Sequence, residues 1–256
     1  MLSEIAVIKL GGSVITNKNV PLSLNKPAIN RILNAMSKIK IPLVLVHGGG
    51  SFGHYWSIKF NMHSKPDNYS PHGISVVHQS MVHLNDFIVS LMMRKKMCPY
   101  SIAPLSFMDN DKINKMQILN LGKIAKSRMI PITFGDVIYR YHRKYSIISG
   151  DEIMTIISSV LRPSKIIFAL NVNGVYKDLE TRELIDIFEN DELVKFSKVK
   201  SDITGGMRRK VCEALKISAM GLDVHILNGL NPERIVDLIE NDNFKGTVIR
   251  GKKINT

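Results

Sequence analysis

The chain has 256 residues, 45% of them apolar, which is enough to bury the core of one large α/β domain or two small ones. No apolar run approaches the roughly 20 residues of a membrane span, and residues 1–5 lack the basic and apolar regions of a signal peptide. The two cysteines, Cys98 and Cys212, lie far apart and form no CxxC pattern. We therefore expect a reduced, cytoplasmic protein without a membrane span.

The formal net charge is +13, which permits nucleic-acid binding. However, the basic residues are scattered, and the densest clusters, at residues 94–96 and 208–210, form neither an arm nor a helical stripe. The single tryptophan, Trp56, and the other aromatic residues do not interleave with the basic runs, as a stacking platform for bases would require. The charge therefore favours a small anionic substrate over a nucleic acid.

Short β-branched runs alternate with longer helical patterns along the chain. We predict strands at residues 5–10, 42–46, 101–104, 130–134, 165–170 and 223–227, and helices at residues 27–38, 74–97, 118–127, 152–161, 207–220 and 232–240. The strand runs are nearly continuously apolar, as expected for parallel strands that are buried on both faces. A β-hairpin is predicted between residues 137 and 148. The alternation predicts an α/β fold with a mostly parallel sheet that helices cover on both faces.

The first glycine loop, Lys9-Leu10-Gly11-Gly12-Ser13, follows the first predicted strand. In open α/β sheets, ligands bind outside the carboxyl ends of the strands, where glycines let main-chain N–H groups approach phosphate oxygens. Lys9 is unusual at the end of an apolar strand, because a buried charge costs free energy unless an anion meets it. Lys18 follows nine residues later. The alternative interpretation is a plain turn with a solvated lysine.

The second glycine loop, residues 47–54, reads HGGGSFGH and follows the second predicted strand. Its three consecutive glycines leave backbone N–H groups open to an anion, and His47 and His54 can each donate a hydrogen bond to phosphate. Residues 48–53 formally match a dinucleotide fingerprint, but no ribose-binding acid follows at the right place. A P-loop-like segment at residues 246–252 lacks the Ser or Thr that should hold Mg²⁺. The loop therefore indicates phosphate binding of another kind.

Three further polar loops follow strand-like segments. In Ser149-Gly150-Asp151-Glu152, Asp151 either caps the next helix or orients catalytic lysines and helps to manage Mg²⁺. Residues 171–176 contain an Asn-Gly pair, which is also an ordinary turn signal. Residues 202–210 open a helix at Gly205-Gly206, whose N-terminus favours anions, with Lys210 one turn further on. Five such loops on one sheet predict two anionic ligands that meet above it.

These motifs resemble the amino acid kinase superfamily and, within it, the isopentenyl phosphate kinases. Lys9 and Gly11-Gly12 mark the superfamily, and the Phe-Gly-His ending of the second glycine loop narrows the resemblance. The resemblance implies a three-layer αβα sandwich with about eight strands, in a single domain over residues 1–256 that forms a homodimer. Residues 1–150 would hold the acceptor, isopentenyl phosphate, and residues 151–256 would hold ATP with Mg²⁺. The family often has Asp where Asn171, Asn173 and Glu152 stand.

The same resemblance implies the roles of individual residues. Near ATP it places Lys9, Leu10, Gly11, Gly12, Ser13, Gly50, Asn171, Tyr176, Gly206 and Lys210. On the acceptor phosphate it places Gly49, His54 and Gly150. The candidate catalytic residues are Lys9, Lys18, Asp151 and Lys210, with Lys18 stabilising the transition state, and no residue is assigned as a metal ligand. For the apolar tail of the substrate, Ile74, Val77 and Ile147 are candidates, with ordinary core packing as the alternative.

Other functions remain open from the sequence. A relative that resembles fosfomycin kinase would share the second glycine loop and His54 while phosphorylating another small phosphate or phosphonate. A non-catalytic member of the fold would bind nucleotide without turnover, although Lys9, Lys18, Asp151 and Lys210 argue against it. A nucleic-acid-binding role would predict salt-sensitive binding that ATP does not compete with.

Overall fold

Strands and helices alternate along the computed structural model, which describes residues 3–17, 19–109, 112–142, 144–178, 180–188 and 205–252. The first half contains β1 (Ser3–Leu10), α1 (Gly12–Ile15), α2 (Lys26–Met36), β2 (Leu43–His47), α3 (Gly50–Lys59), α4 (Pro71–Arg94), β3 (Pro99–Ser101), β4 (Met108–Asp109), β5 (Lys112–Ile113), α5 (Lys115–Lys126) and β6 (Ile130–Phe134). The second half contains β7 (Asp136–Tyr139), β8 (Tyr145–Ile148), α6 (Gly150–Leu161), β9 (Pro163–Leu170), β10 (Tyr176–Asp178), β11 (Glu183–Leu184), β12 (Ile187–Phe188), α7 (Gly205–Ser218), β13 (Val224–Asn228), α8 (Glu233–Glu240) and β14 (Thr247–Ile249).

The central sheet has eight strands within the described ranges, in the order β12-β14-β13-β9-β1-β2-β6-β3. Its neighbouring strands are parallel except for the antiparallel pair β13 and β14. β1 lies in the middle, where Lys9 is in register with Val46 of β2 and Phe168 of β9. The predicted mostly parallel sheet of about eight strands is confirmed, and its carboxyl edge gathers the ends of β1, β2 and β9.

Each face of the sheet is covered by its own apolar core. Along β1, Val7 packs into the core formed with α5, α6 and α7, whereas Ile8 packs into the core formed with α2, α4 and α8. Both side chains are fully buried, and burial of such an aliphatic side chain stabilises the fold by roughly 1.5–3 kcal/mol. Because successive side chains of a strand point into different cores, the strand runs are nearly all apolar. The two cores confirm the three-layer αβα sandwich.

Two predicted boundaries are wrong for physical reasons. The strand predicted at residues 101–104 is β3, Pro99–Ser101, and Pro104 instead begins a short 3-10 turn, because proline has no N–H for a sheet ladder. The segment predicted as the second glycine loop is largely helical, since α3 begins at Gly50. Of the residues in α3, Ser51 and Phe52 are the buried ones, so the segment carries no helical hydrophobic period.

The predicted hairpin is confirmed as β7 and β8. The two strands pair antiparallel, with Asp136 opposite Ile148, and they form a two-stranded sheet that is separate from the central one. The hairpin leads through Ser149 directly into α6. It therefore lies beside the carboxyl edge of the central sheet without sharing its hydrogen bonds. No helix in the described parts of the chain is both long and apolar enough to cross a membrane.

Candidate active site

The two glycine loops touch each other at the carboxyl ends of β1 and β2. A Cβ atom on Gly12 would lie 2.2 Å from the backbone nitrogen of Gly50, which itself has a φ of +49°. Thr16 ties the loops together, because its hydroxyl donates to the carbonyl of Gly12 (2.7 Å) and accepts from the backbone N–H of Ser51 (2.9 Å). Gly12 and Gly50, which are both predicted to lie near ATP, are therefore in backbone contact.

The anion that meets Lys9 is Asp151. The Lys9 Nζ lies 2.9 Å from the Asp151 Oδ1, and both side chains are almost completely buried. Asp151 is in the first turn of α6, but it does not cap that helix; the cap is the Ser149 hydroxyl, which accepts from the Glu152 N–H at 3.1 Å. The helix-cap interpretation of Asp151 is thus wrong, and the interpretation in which it orients a lysine agrees with the geometry.

The charge of Asp151 is retained in spite of its burial. Burial alone would raise the pKa of this carboxyl, but the positive charges of Lys9 and Lys210 outweigh it and hold the pKa below its usual range. Arg209 adds a further cation, with its Nε 3.9 Å from the Asp151 Oδ2. Sequence reasoning did not single out Arg209, although it lies in the basic run at residues 208–210. Asp151 therefore gathers cations from β1 and α7 at one point.

Gly150 completes the contact between the hairpin and the central strands. A Cβ on Gly150 would lie 3.1 Å from the His47 carbonyl oxygen and 3.1 Å from the Lys9 Cε. Gly49 is the N-cap of α3, so the N-terminus of that helix faces the same region, and helix N-termini favour anions. The predicted acceptor-phosphate residues Gly49 and Gly150 thus both lie close to the end of β2.

The two histidines of the second glycine loop have different environments. His54 lies in the second turn of α3 and is exposed, so it is accessible to a substrate. His47 is the last residue of β2 and is fully buried, with its ring stacked on Phe134 at 5.4 Å between centroids. The expectation that His47 donates to phosphate is therefore wrong. Burial lowers its pKa to about 4, so the ring is neutral near pH 7.

We expect the buried histidines to make folding stability depend on pH. Burial lowers the pKa of His225 to about 4, as it does for His47. In the unfolded chain both rings bind protons below about pH 6.5. Between about pH 6.5 and pH 4 the unfolded chain therefore binds two more protons than the folded protein. The free energy of unfolding should fall as the pH is lowered through this range, by up to about 2.7 kcal/mol per pH unit for two protons. Urea unfolding of the wild type and of His225→Gln at pH 7 and pH 5 measures this.

The His225→Gln variant is the control for the urea-unfolding measurement. His225 lies on β13, where its ring contacts Phe244, so the substitution leaves the candidate active site intact. The variant should lose about half of the pH dependence, because one of two protons is no longer taken up on unfolding. An unchanged pH dependence would show that His225 does not titrate in this way.

On the predicted nucleotide side, Asn171 follows β9 and lies next to the first glycine loop. The Ser13 hydroxyl donates to the Asn171 Oδ1 at 2.9 Å, so an amide oxygen accepts this bond where the family resemblance implies a carboxylate. The Asn173 Oδ1 likewise accepts from Asn228 and from the Arg234 guanidinium. Both departures from the family pattern therefore retain a hydrogen-bond acceptor but lose a negative charge.

The other residues predicted to lie near ATP are in different parts of the fold. Tyr176 is half-buried at the start of β10, and Gly206 lies in the first turn of α7. Leu10 is buried in the core and its carbonyl accepts from Gly48, while the Gly11 N–H donates to Ala169. Neither of these last two groups is therefore directed at a phosphate. Lys18, like residues 202–204 of the fifth loop, lies outside the described residues.

A separate apolar cluster lies beside the acceptor side. This outer apolar cluster joins α3, α4 and the hairpin. It contains all three residues predicted for the substrate tail: Val77 is buried, whereas Ile74 and Ile147 are partly buried. Its members are Trp56, Phe60, Met62, Tyr69, Ile74, Val77, Val137, Tyr145 and Ile147. The structure thus brings Ile74, Val77 and Ile147 together, outside the two main cores.

The family follows from comparison with known proteins. The model of the amino acid kinase family matches residues 4–228. The chain belongs to the amino acid kinase family. A curated relative of this amino acid kinase, the isopentenyl phosphate kinase of Thermoplasma acidophilum, is 33% identical over 95% of the chain and 99% of its own length. The isopentenyl phosphate kinase of Methanothermobacter thermautotrophicus is 28% identical over 96% of the chain and 99% of its own length.

Solved structures agree with the fold of this amino acid kinase. The crystal structure of the T. acidophilum isopentenyl phosphate kinase product complex superimposes with a TM-score of 0.79 and 29% identity, covering 96% of this chain and all of that one. An isopentenyl phosphate kinase substrate complex gives a TM-score of 0.81 and 29% identity, covering 97% of this chain and all of that one. The resemblance that the motifs predicted is confirmed.

Proposed function

We propose that this amino acid kinase transfers the γ-phosphoryl group of ATP to isopentenyl phosphate, forming isopentenyl diphosphate and ADP. The observation that carries the proposal is the outer apolar cluster, whose member Trp56 lies on α3, the helix that also carries the exposed His54. A phosphate at the N-terminal part of α3 would place its organic tail against apolar side chains. Such a site suits an acceptor that already carries a phosphate on a short hydrocarbon.

The reaction requires charge neutralisation more than proton transfer. An oxygen of the acceptor phosphate is the nucleophile, and it is already ionised near neutral pH, so no general base is needed. The two phosphate groups repel each other as they approach, and the cations gathered at Asp151, together with the helix N-termini, would offset this repulsion. Preorganised donors of this kind each account for about 10²–10³ in rate.

We assign the two ligands to different parts of one domain. Gly49, His54, Gly150 and the outer apolar cluster come from residues 49–150, and we propose that they hold the acceptor. Asn171, Tyr176, Gly206 and Lys210 come from later in the chain, and we propose that they hold ATP together with residues 9–13 of the first glycine loop. Lys9 lies between the acceptor-side and the ATP-side residues, because its ammonium contacts Asp151 beside Gly150.

We propose that Mg²⁺ accompanies ATP. The described residues contain no group of three or more side chains that could hold a metal ion by themselves. Mg²⁺ usually binds through substrate phosphates, waters and one or two carboxylates, and the ionised Asp151 offers a carboxylate at this edge. The bound ion would supply charge neutralisation between the phosphates. Asp151 would position Lys9 in either case.

A homodimer and a cytoplasmic location complete the proposal. β3 is the edge strand at one end of the sheet, and Tyr100, Leu105, Met116 and Leu119 around it are exposed. An unpaired edge with exposed apolar side chains is suited to pairing with a second copy of the chain. Cys98 and Cys212 are both free and exposed, in agreement with a reducing compartment.

The test is a coupled ADP-release assay over a panel of acceptors. We expect turnover with isopentenyl phosphate and dimethylallyl phosphate, and none with glutamate. Preferential turnover of fosfomycin would replace the proposed substrate with another small phosphonate. The absence of ADP release with every acceptor would favour a non-catalytic nucleotide-binding protein.

We expect Lys18→Ala to lower kcat by at least about an order of magnitude while changing both KM values less. The reason is that its contact with the transferred phosphoryl group would form mainly in the transition state. Steady-state kinetics with both substrates measures this, and Lys26→Ala, on α2, is the control. Near-normal turnover of the Lys18 variant would refute its assigned role.

A further inference from the structure

A short ion pair connects α4 to the hairpin next to the acceptor site. The His78 Nδ1 lies 2.6 Å from the Asp136 Oδ2. The Asp136 side chain is only 3% exposed, whereas that of His78 is 48% exposed. The two residues are 58 positions apart in the sequence, so the pair joins elements that the chain does not connect directly. Neither residue belongs to the site assigned above.

On the hairpin, Asp136 lies where the acceptor-phosphate residues and the outer apolar cluster meet. The preceding residue, Gly135, donates its N–H to the His47 carbonyl at 3.1 Å, at the end of β2. The next residue, Val137, is a buried member of the outer apolar cluster. Asp136 is in register with Ile148, two residues before Gly150. A movement of Asp136 would therefore move Gly150 and Val137 together.

On α4, the residues around His78 contact the opposite wall. Val77 is buried in the outer apolar cluster. The Ser80 hydroxyl donates to the Phe52 carbonyl of α3 at 3.2 Å, and the Met81 sulfur packs against Gly49 and Gly53. This turn of α4 therefore supports the helix that carries His54.

The hairpin needs contacts of this kind because the central sheet does not hold it. β7 and β8 are hydrogen-bonded to each other and form a separate sheet. A two-stranded hairpin is at most marginally stable by itself, so its position depends on its other contacts. The backbone of β8 is hydrogen-bonded to His63 and Asp67, and the His78–Asp136 pair adds a side-chain contact with α4. The His78–Asp136 bond is short and charge-assisted, and such bonds have a defined geometry.

We propose that His78 and Asp136 are positioning residues that hold the two walls of the acceptor site, α3–α4 and the hairpin, at a fixed separation. The inference rests on the proposed function, because it assigns the pair to binding of isopentenyl phosphate. Its effect should appear in the affinity for the acceptor. ATP, bound on the other side of Lys9, should be nearly unaffected.

The ionisation of the pair agrees with this role. The hydrogen bond from His78 to Asp136, which outweighs the effect of partial burial, raises the pKa of the imidazole above its ordinary value. Burial raises the pKa of Asp136, although its contacts with His78 and with the Val137 N–H oppose this. Removal of His78 would leave a buried carboxyl without its cationic partner, which favours displacement of the hairpin toward solvent.

The test is a double-mutant cycle with steady-state kinetics. We expect His78→Ala and Asp136→Asn each to raise the KM for isopentenyl phosphate about fivefold or more, with the KM for ATP within about twofold of wild type. The double variant should show little further increase, because either substitution alone breaks the pair. The matched control is His83→Ala, on the exposed side of the same helix, which should leave both KM values unchanged.

A second measurement keeps this inference separate from the proposed function. Without any substrate, hydrogen exchange in the hairpin, residues 136–148, should be faster in His78→Ala than in wild type, while exchange in β6 stays the same. If wild type releases no ADP with isopentenyl phosphate, the proposed function fails and the exchange data still decide the inference. Equal hairpin exchange, additive substitutions, or an equal rise of both KM values would overturn the positioning role.

Discussion

The Lys9→Met variant should lose at least about two orders of magnitude in kcat and about 3 kcal/mol of the free energy of unfolding. Methionine replaces the buried stem of Lys9 with a side chain of similar length, so packing beside Phe168 is retained. The Asp151 carboxylate, however, loses its cation at 2.9 Å and remains buried with Arg209 at 3.9 Å. Steady-state kinetics and urea unfolding measure the two losses separately.

The double variant Lys9→Met, Asp151→Asn distinguishes the causes of those losses. Since the destabilisation comes from a buried carboxylate that has lost its closest cation, removal of that charge should restore most of the stability. It should not restore turnover, because the Lys9 ammonium, which we propose acts on the phosphates, is still missing. The pKa of Asp151 is lowered in the folded protein, so the pair contributes its stability above about pH 4 and loses it as the pH falls further. Near-normal kcat in Lys9→Met would contradict the role of Lys9.

The second large effect is expected for His54→Gln, which should raise the KM for isopentenyl phosphate by at least about tenfold and that for ATP by less than about twofold. Glutamine retains an N–H donor of similar reach, but it is a neutral amide on a more flexible side chain, so it should hold the acceptor phosphate less firmly than the imidazole does. His54 is exposed on α3, so the substitution should leave stability almost unchanged. Initial rates over a matrix of both substrates give the two KM values.

Two variants serve as controls for the His54 experiment. His54→Ala removes the donor altogether, and it should raise the KM for isopentenyl phosphate further than His54→Gln does. His83→Ala changes an exposed histidine of α4 and should have no effect. An unchanged KM for isopentenyl phosphate in both His54 variants would remove the argument for a phosphorylated acceptor at this position.

Much of the fold and part of the site could be predicted from local patterns. The near-continuous apolar runs predicted the parallel sheet, because strands covered on both faces have no polar side. Lys9 could be predicted to meet an anion, since an isolated charge at that position would be too costly. The hairpin was predictable from two alternating runs around a polar turn.

Other features depend on contacts that no local pattern records. His47 and His54 are equivalent within the motif, and only the start of α3 at Gly50 makes the first buried and the second exposed. α3 itself lacks a helical period because so few of its side chains face a core. The His78–Asp136 pair joins two segments that are 58 residues apart, a distance over which spacing has no predictive value.

The contact between Gly12 and Gly50 fixes the spacing of the two glycine loops independently of the shape of the outer apolar cluster. The spacing of the two phosphate-side loops is set by backbone atoms at the ends of β1 and β2, two neighbouring strands of the central sheet. The shape of the outer apolar cluster is set by side chains on α3, α4 and a hairpin outside that sheet. If the cluster holds the tail of the acceptor, as we propose, substitutions that enlarge or reshape it should change the choice of organic tail with little effect on the two main cores. In engineering terms, acceptor range can be varied while the phosphoryl-transfer geometry is left intact.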